Sequence, residues 1–183
     1  MGLFFANVRN NLYFCKTLQT KKHIMNEENI KQNSWKAWLL AVRPKTLTGA
    51  AVPVMIGCAL AHVDAQAYGD DVFNWLSASL CLLFALVMQI DANLINDFFD
   101  YAHGNDDSTT RLGPLRACTQ GWVSLDAMKR AIALTTCVAC VAGLPLIIFG
   151  GLEMILVGIC CVAFCFLYTT HLSYLGLGDI LVL

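Results

Sequence analysis

The sequence predicts an all-α fold, a bundle of transmembrane helices, from its composition and from the length of its apolar stretches. Hydrophobic residues make up 57% of the 183 residues and charged residues only 14%, whereas soluble domains carry about 25% charged residues. Four stretches lack the polar faces of soluble helices and approach the ~20 residues that cross a bilayer. They cover residues 47–63, 73–99, 131–150 and 154–168. We therefore expect about four complete spans and the start of a fifth.

Basic residues are confined to two parts of the chain. Of the 12 lysines and arginines, eight lie before residue 46 and four lie between residues 111 and 130. The connections between spans one and two, and between spans three and four, hold none. By the positive-inside rule the amino terminus and the 100–130 loop are cytoplasmic, and the lipid bilayer surrounds the spans. The basic residues are not interleaved with stacking aromatic residues, so no nucleic-acid partner is expected.

The two ends of the chain differ from its middle. Residues 1–34 form a polar extension without the apolar core of a signal peptide, and Met25 is the expected natural start. Residues 35–183 are the expected amino-terminal part of a membrane domain. The last four residues follow Asp179 and begin a new apolar run that is too short to cross a bilayer. We therefore expect the chain to be a fragment.

A polar face at the end of the second span is the most informative local feature. Asn93, Asn96, Asp97 and Asp100 stand at positions i, i+3, i+4 and i+7, so a helix presents all four on one side. An ionised residue at mid-span costs roughly 2.5–3.5 kcal/mol on insertion scales, so it needs compensation. Carboxylate and amide oxygens are ligands that Mg²⁺ takes, with water and substrate phosphate. The pattern favours a Mg²⁺ site over a helix end that simply emerges into water.

A loop with two arginines follows the polar face. Gly104, Gly113 and Pro114 indicate turns rather than a continuing helix. Arg111 and Arg116 stand in this loop, and guanidinium groups bind phosphate oxygens bidentately. We expect them to grip a diphosphate whose charge a metal neutralises. The alternative is that they only follow the positive-inside rule and pair with nearby aspartates.

Each candidate site residue has an expected role. Asp97 and Asp100 are the candidate catalytic carboxylates, and they would hold the metal together with Asp106. Lys45, at the start of span one, would reach the diphosphate, although lipid phosphate is its default contact. Tyr168 ends span four, where aromatic residues more often anchor at the interface than contact substrate. The candidate substrate-binding residues are Asn93, Asn96, Arg111, Arg116, Lys45 and Tyr168.

Three stretches of the sequence carry a resemblance to a known family. They are residues 43–47 (RPKTL), residues 89–100 (QIDANLINDFFD) and residues 111–116 (RLGPLR). They resemble the UbiA-type intramembrane prenyltransferase superfamily, and most of all its branch that prenylates 1,4-dihydroxy-2-naphthoate in menaquinone biosynthesis. Residues 167–179 resemble the start of that branch's fifth helix. The resemblance implies a nine-helix bundle in the bacterial cell (inner) membrane, with its active cavity open to the cytoplasm.

The resemblance also implies a reaction. Mg²⁺ would bridge polyprenyl diphosphate to Asp97 and Asp100, with Asn93 and Asn96 lining the same site. Ionisation of the allylic C–O bond would release diphosphate, and a ring carbon of the dihydroxynaphthoate would attack the allylic cation. Loss of CO₂ would then give demethylmenaquinone. The family's second aspartate-rich motif lies in a later loop that the 183-residue chain does not reach, so the isolated chain is expected to be inactive.

Two other functions remain open, and one acidic residue has no assigned role. The same chemistry could act on 4-hydroxybenzoate or a porphyrin, since acceptor choice depends on cavity shape. A non-enzymatic cation transporter subunit is the other alternative, because intramembrane Asp and Asn also line ion paths. That function predicts paired polar breaks in two repeated halves, whereas here the polar face lies beside an arginine loop. Asp91 stands where the family tends to have a small residue.

Overall fold

The described part of the chain is a bundle of α-helices. The computed structural model describes residues 30–67, 73–104 and 115–169, and no strand occurs among them. The elements are α1 (Trp35–Val42), a 3₁₀ helix (Pro44–Thr46), α2 (Leu47–Ala67), α3 (Trp75–Ala102), α4 (Leu125–Gly143), α5 (Leu146–Gly150) and α6 (Glu153–Leu167). The all-α prediction is confirmed. The expected start at Met25 and the expected fifth span lie outside the described residues.

Helix α2 leaves most of its apolar surface exposed. None of its residues is buried, and Met55, Ile56 and Leu60 are each more than half exposed. An apolar surface of this extent indicates a lipid or protein environment rather than water. The segments Trp35–Ala67 and Trp75–Ala102 are the two in the described residues that are long and apolar enough to cross a membrane.

The predicted third span is covered by two helices, and the predicted fourth span forms one helix of the expected length. The predicted span over 131–150 is divided, because α4 ends at Gly143 and α5 starts at Leu146. Pro145 lies at the division, where its ring and its missing N–H do not allow the preceding helix to continue. Helix α6 has 15 residues and is apolar. Helices therefore stand where four spans were predicted, but among the described residues only the segments that contain α2 and α3 are both long and apolar enough for a full crossing.

Local side-chain bonds and one strained residue set the helix ends near the site. Ser34 precedes α1 and accepts a hydrogen bond from the backbone N–H of Ala37 at 3.3 Å, which satisfies one of the free donors of the first turn. Helix α1 ends at Val42, and the next residue, Arg43, has a φ of 53°, which lies in the left-handed region. This conformation is uncommon outside glycine, and it turns the chain from α1 towards α2.

The buried core lies at the end of the bundle where α3 ends and α4 begins. The segment before α1 reaches the loop before α4: Asn33 donates its backbone N–H to the carbonyl of Trp122 at 2.7 Å, and the side chain of Asn33 accepts from Ser124 N–H at 3.1 Å. The buried apolar side chains here include Ala37, Ala41, Leu94, Ile95, Ala117, Trp122, Val123 and Met128. This packed base supports the polar face of α3.

Candidate functional site

Helix α3 carries the predicted polar face into the packed end of the bundle. Asn93 and Asp97 are 5% and 0% exposed, while Asn96 and Asp100 are half-buried. All four lie in the last turns of one continuous helix, as their spacing predicts. The four side chains contact three neighbouring segments, and Asp97 and Asp100 share one of them, the loop before α4.

Asn93 fixes the corner between α1 and α2. Its side-chain amide donates to the carbonyl of Val42 at 2.9 Å and to the hydroxyl of Thr46 at 2.8 Å. These two acceptors flank Arg43, the residue with the left-handed backbone. Strained backbone persists where surrounding contacts hold it, and Asn93 supplies two such contacts from another helix.

Asn96 is bonded to the end of α6. The hydroxyl of Thr169, which is 2% exposed, donates to the side-chain oxygen of Asn96 at 2.5 Å. The amide hydrogens of Asn96 have no bond partner among the described residues. Sequence reasoning selected Tyr168, which is half-buried at the end of α6, and missed its neighbour Thr169. Nothing in the sequence distinguishes Thr169 as a partner of α3, because a threonine in an apolar helix usually bonds to its own helix. Thr169 also makes such a bond, with the carbonyl of Cys165 at 3.2 Å.

Asp97 accepts two backbone hydrogen bonds from the loop that precedes α4. The N–H of Ala117 reaches Oδ2 at 2.8 Å, and the N–H of Cys118 reaches Oδ1 at 3.0 Å. Hydrogen bonds to an ionised carboxylate are about twice as strong as neutral ones. The two bonds compensate the burial of this carboxylate, and they tie the loop to α3.

Asp100 forms an ion pair with Arg116. One guanidinium nitrogen contacts Oδ2 of the carboxylate, and the two side chains are 20% and 9% exposed. This pairing is what the alternative interpretation of the arginines predicted. It also brings a guanidinium group beside the carboxylate that was predicted to bind metal. Arg111 lies outside the described residues.

The described residues supply only part of the predicted metal site. Within them, no group of three or more His, Cys, Asp or Glu side chains is placed to hold a metal ion. Asp106, the third predicted ligand, lies outside the described residues. The donor chemistry of Asp100 fits a divalent metal, because its carboxylate is partly exposed and hard cations prefer oxygen ligands. Asp97 fits less well, since both of its oxygens already accept backbone N–H groups. The metal ligands stay a prediction.

Lys45 lies in the 3₁₀ helix at the same end of the bundle. Lys45 is exposed, and its side chain forms no ion pair within the described part of the chain. A role for Lys45 in binding diphosphate or lipid phosphate stays a prediction.

Asp91 has a structural role that sequence reasoning missed. It is fully buried and accepts hydrogen bonds from the hydroxyls of Thr135 at 2.5 Å and Thr136 at 2.7 Å, both on α4. Two positions before Asn93 on a helix, it faces a different side from the predicted site. The adjacent threonines, which interrupt the apolar run 131–150, were the signal for a polar partner.

Cys118 lies directly against the anchored carboxylate. Its thiol is buried, with 5% of the residue exposed. Burial, followed by the negative charge of Asp97, raises the pKa of Cys118 to about 12, and the charge of Arg116 opposes this rise. The thiol is therefore neutral at physiological pH and is a poor nucleophile.

Comparisons with known proteins agree with the resemblance to the UbiA-type prenyltransferases that the sequence motifs carry. The chain is 36% identical over 176 residues to 1,4-dihydroxy-2-naphthoate octaprenyltransferase of Escherichia coli (strain K12), with 87% of the chain and 52% of the relative covered. The protein of the same name from Haemophilus influenzae is 32% identical over 173 residues, with 87% and 53% covered. UbiA prenyltransferase domain-containing protein 1 of Homo sapiens is 26% identical over 179 residues, with 86% and 47% covered. No solved structure matches the chain.

These matches cover most of the chain but only part of each relative. The chain spans about half the length of the curated relatives it matches. The family match itself covers residues 47–183, which include the polar face of α3 and the arginine loop. The chain belongs to the UbiA prenyltransferase family.

Proposed function

We propose that this protein transfers a polyprenyl group from polyprenyl diphosphate to 1,4-dihydroxy-2-naphthoate and releases diphosphate and CO₂, which gives demethylmenaquinone. Membership of the prenyltransferase family supports the reaction type. The similarity to two 1,4-dihydroxy-2-naphthoate octaprenyltransferases supports the acceptor. The observation that carries the proposal is the pairing of Arg116 with Asp100 beside the polar face of α3. The pair joins a guanidinium group, which can bind phosphate, to a carboxylate, which can bind a metal ion.

Family members use a divalent metal ion, and we propose Mg²⁺ here. Asp100 would hold it together with Asp106. When bound, the ion supplies positive charge that neutralises a diphosphate leaving group. The half-buried position of Asp100 suits Mg²⁺, which keeps several of its water ligands.

The remaining work of the site is binding and electrostatic stabilisation. Arg116 donates N–H groups to diphosphate oxygens, and this interaction strengthens as negative charge develops on the departing diphosphate. Lys45 would add positive charge from the same end of the bundle, and Arg111 is a further candidate for binding diphosphate. Asn96 is held through its oxygen by Thr169, so its amide hydrogens are directed by that bond and remain available to a substrate. No covalent enzyme intermediate is needed.

We further propose that the protein resides in the bacterial inner membrane with this site at the cytoplasmic face. The described basic residues belong to the segments at the packed end of the bundle, namely Lys31, Lys36, Arg43, Lys45, Arg116, Lys129 and Arg130. Such segregation is typical of the cytoplasmic side. Tyr168 would lie at the same interface, either as an anchor or against the substrate.

The test is a prenyl-transfer assay of the full-length protein in lipid vesicles. Polyprenyl diphosphate, Mg²⁺ and either 1,4-dihydroxy-2-naphthoate or 4-hydroxybenzoate are supplied, and the prenylated product is separated by chromatography. We expect product with the naphthoate and none from Asp100→Asn. The matched control is Asp64→Asn, which removes an exposed carboxylate from α2 and should leave the rate unchanged. Full product from Asp100→Asn would contradict the proposed role of Asp100. Product with 4-hydroxybenzoate but none with the naphthoate would contradict the proposed acceptor.

A further inference from the structure

Two carboxylates on consecutive turns of α3 hold the same loop in different ways. Asp97 accepts the backbone N–H groups of Ala117 and Cys118 at 2.8 and 3.0 Å. Asp100 contacts the side chain of Arg116, the residue immediately before Ala117. The loop is therefore attached at three successive residues, twice through its backbone and once through a guanidinium group.

The loop itself is folded into a turn just after the attached residues. The N–H of Gln120 donates to the carbonyl of Arg116 at 3.0 Å, and the N–H of Trp122 donates to the carbonyl of Ala117 at 2.9 Å. The backbone on the carboxyl side of Arg116 is thus held by its own turn and by Asp97. Since a side chain can reach only as far as its backbone allows, Asp97 controls where the guanidinium of Arg116 lies.

The surroundings of Asp97 differ from those of a magnesium ligand. Asp97 is 0% exposed, and Mg²⁺ usually keeps several waters and binds through one or two carboxylates. Each Asp97 oxygen already accepts one N–H. The side chain of Asp100, by contrast, is 20% exposed. The two carboxylates therefore have different environments although the sequence presents them as an equivalent pair.

We propose that Asp97 is a positioning residue whose carboxylate anchors the loop at Ala117 and Cys118, so that Arg116 reaches Asp100, and that Asp97 does not bind the metal. The inference rests on the proposed function for the reaction that Arg116 and Asp100 serve. It divides the two carboxylates into a loop anchor and a metal-binding group.

Amide hydrogen exchange of the unmodified full-length protein in vesicles provides the first test. Without metal, the amides of Ala117 and Cys118 should exchange at least about a hundredfold more slowly than in an unstructured chain, because both are bonded to a buried acceptor. Adding Mg²⁺ should leave these two rates unchanged. Unprotected amides, or protection that appears only with Mg²⁺, would overturn the proposal. This measurement requires no substitution, so it does not depend on whether a variant folds.

Thiol labelling of Cys118 provides the second test. In metal-free vesicles a maleimide is added, and the peptide that contains Cys118 is quantified by mass spectrometry. Asp97→Asn keeps the size of the side chain but puts an amide N–H₂ against a backbone donor, so labelling should rise about tenfold or more after correction for the larger thiolate fraction that follows from the loss of the Asp97 charge. Asp100→Asn leaves both anchor bonds in place and should change labelling less than threefold. Equal labelling of the Asp97→Asn variant and the unmodified protein would overturn the anchor role.

The metal dependence of prenyl transfer separates anchoring from metal binding. Asp97→Asn should lower the turnover rate and leave the Mg²⁺ concentration for half-maximal rate within about twofold. If Asp97 is instead a ligand, that concentration should rise tenfold or more. Should the protein transfer no prenyl group at all, the proposed function fails, while amide exchange and thiol labelling still decide whether Asp97 anchors the loop.

Discussion

Arg116 and Asp100 form an ion pair across 16 positions of sequence, at the point where α3 ends and the loop before α4 approaches it. Both side chains are largely shielded from solvent, which makes the interaction stronger than that of an exposed pair. Arginine is suited to this position because its planar group can contact a carboxylate and phosphate oxygens at once. The pair therefore links the loop to the chemistry of the site.

The first prediction concerns the charge and shape of Arg116. Arg116→Gln should lower the rate of prenyl transfer about 10²–10³-fold, the usual effect of removing one group that stabilises developing charge. Arg116→Lys should recover only part of the rate, because an ammonium group keeps the charge but lacks the guanidinium fork. Steady-state kinetics of the full-length protein in vesicles measures both effects.

Lys129→Gln is the matched control for Arg116. Lys129 lies at the same end of the bundle, but its ammonium group stands over the ring of Phe98 at 5.7 Å. Its removal should change the rate less than threefold. If Arg116→Gln and Lys129→Gln reduce the rate equally, a general loss of positive charge explains the result and the specific role of Arg116 is wrong.

The second prediction concerns the corner held by Asn93. Asn93→Ala should lower the free energy of unfolding by about 1–3 kcal/mol, because the Val42 carbonyl and the Thr46 hydroxyl lose their donor. Thr46→Ala removes one of the two bonds and should cost less. Unfolding in mixed detergent micelles gives the free energies, and the double variant gives the coupling between the two residues.

A threonine close to Thr46 serves as the control for this cycle. The hydroxyl of Thr48 donates only to the carbonyl of Lys45, within its own segment, at 2.9 Å. Thr48→Ala and Asn93→Ala should therefore be additive. A coupling of Asn93 with Thr46 that is no larger than its coupling with Thr48 would show that the interhelical bond contributes nothing to stability.

The sequence predicted the polar face of α3 but not its contacts. A period of 3.6 residues is a local property, so Asn93, Asn96, Asp97 and Asp100 could be placed on one side of a helix. Which partner each of them meets depends on how distant segments return to α3, and the partners lie up to 73 positions away. Asp97 and Asp100 are therefore the same residue type on the same helix face, and the sequence does not distinguish their different contacts.

Asp91 and Pro145 show two further limits of the sequence. Asp91 received no role, because its partners Thr135 and Thr136 belong to another helix. The third span was predicted as continuous because hydropathy averages over Pro145, whereas the backbone responds to the proline itself. Tertiary contacts and single-residue backbone effects are the information that composition and periodicity do not contain.

The third prediction concerns the link between α3 and α4. Asp91→Leu should lower the free energy of unfolding by about 1–3 kcal/mol, because the half-buried Thr136 hydroxyl loses its acceptor. Asp91→Asn should cost less, since its carboxamide still accepts from one threonine. The measurement is unfolding in mixed micelles, with Ser79→Ala as control, because the Ser79 hydroxyl bonds only to its own helix at Trp75 O, 2.8 Å away. A cost for Asp91→Leu no greater than that for Ser79→Ala would contradict the link.

The fourth prediction is a loss of stability at alkaline pH that depends on Cys118. Burial and the charge of Asp97 raise the pKa of this thiol from 9.0 to about 12 in the folded protein. Between these values the unfolded chain releases the thiol proton while the folded protein keeps it, so the free energy of unfolding falls as pH rises. The contribution is fully present below pH 9.0, and its loss proceeds at no more than about 1.4 kcal/mol per pH unit.

Unfolding measured from pH 7 to 11 in the unmodified protein and in Cys118→Ala isolates this effect, because lysines and tyrosines titrate alike in both. The alanine variant should show the shallower decline, and identical declines would mean that the buried thiol does not resist ionisation beside Asp97.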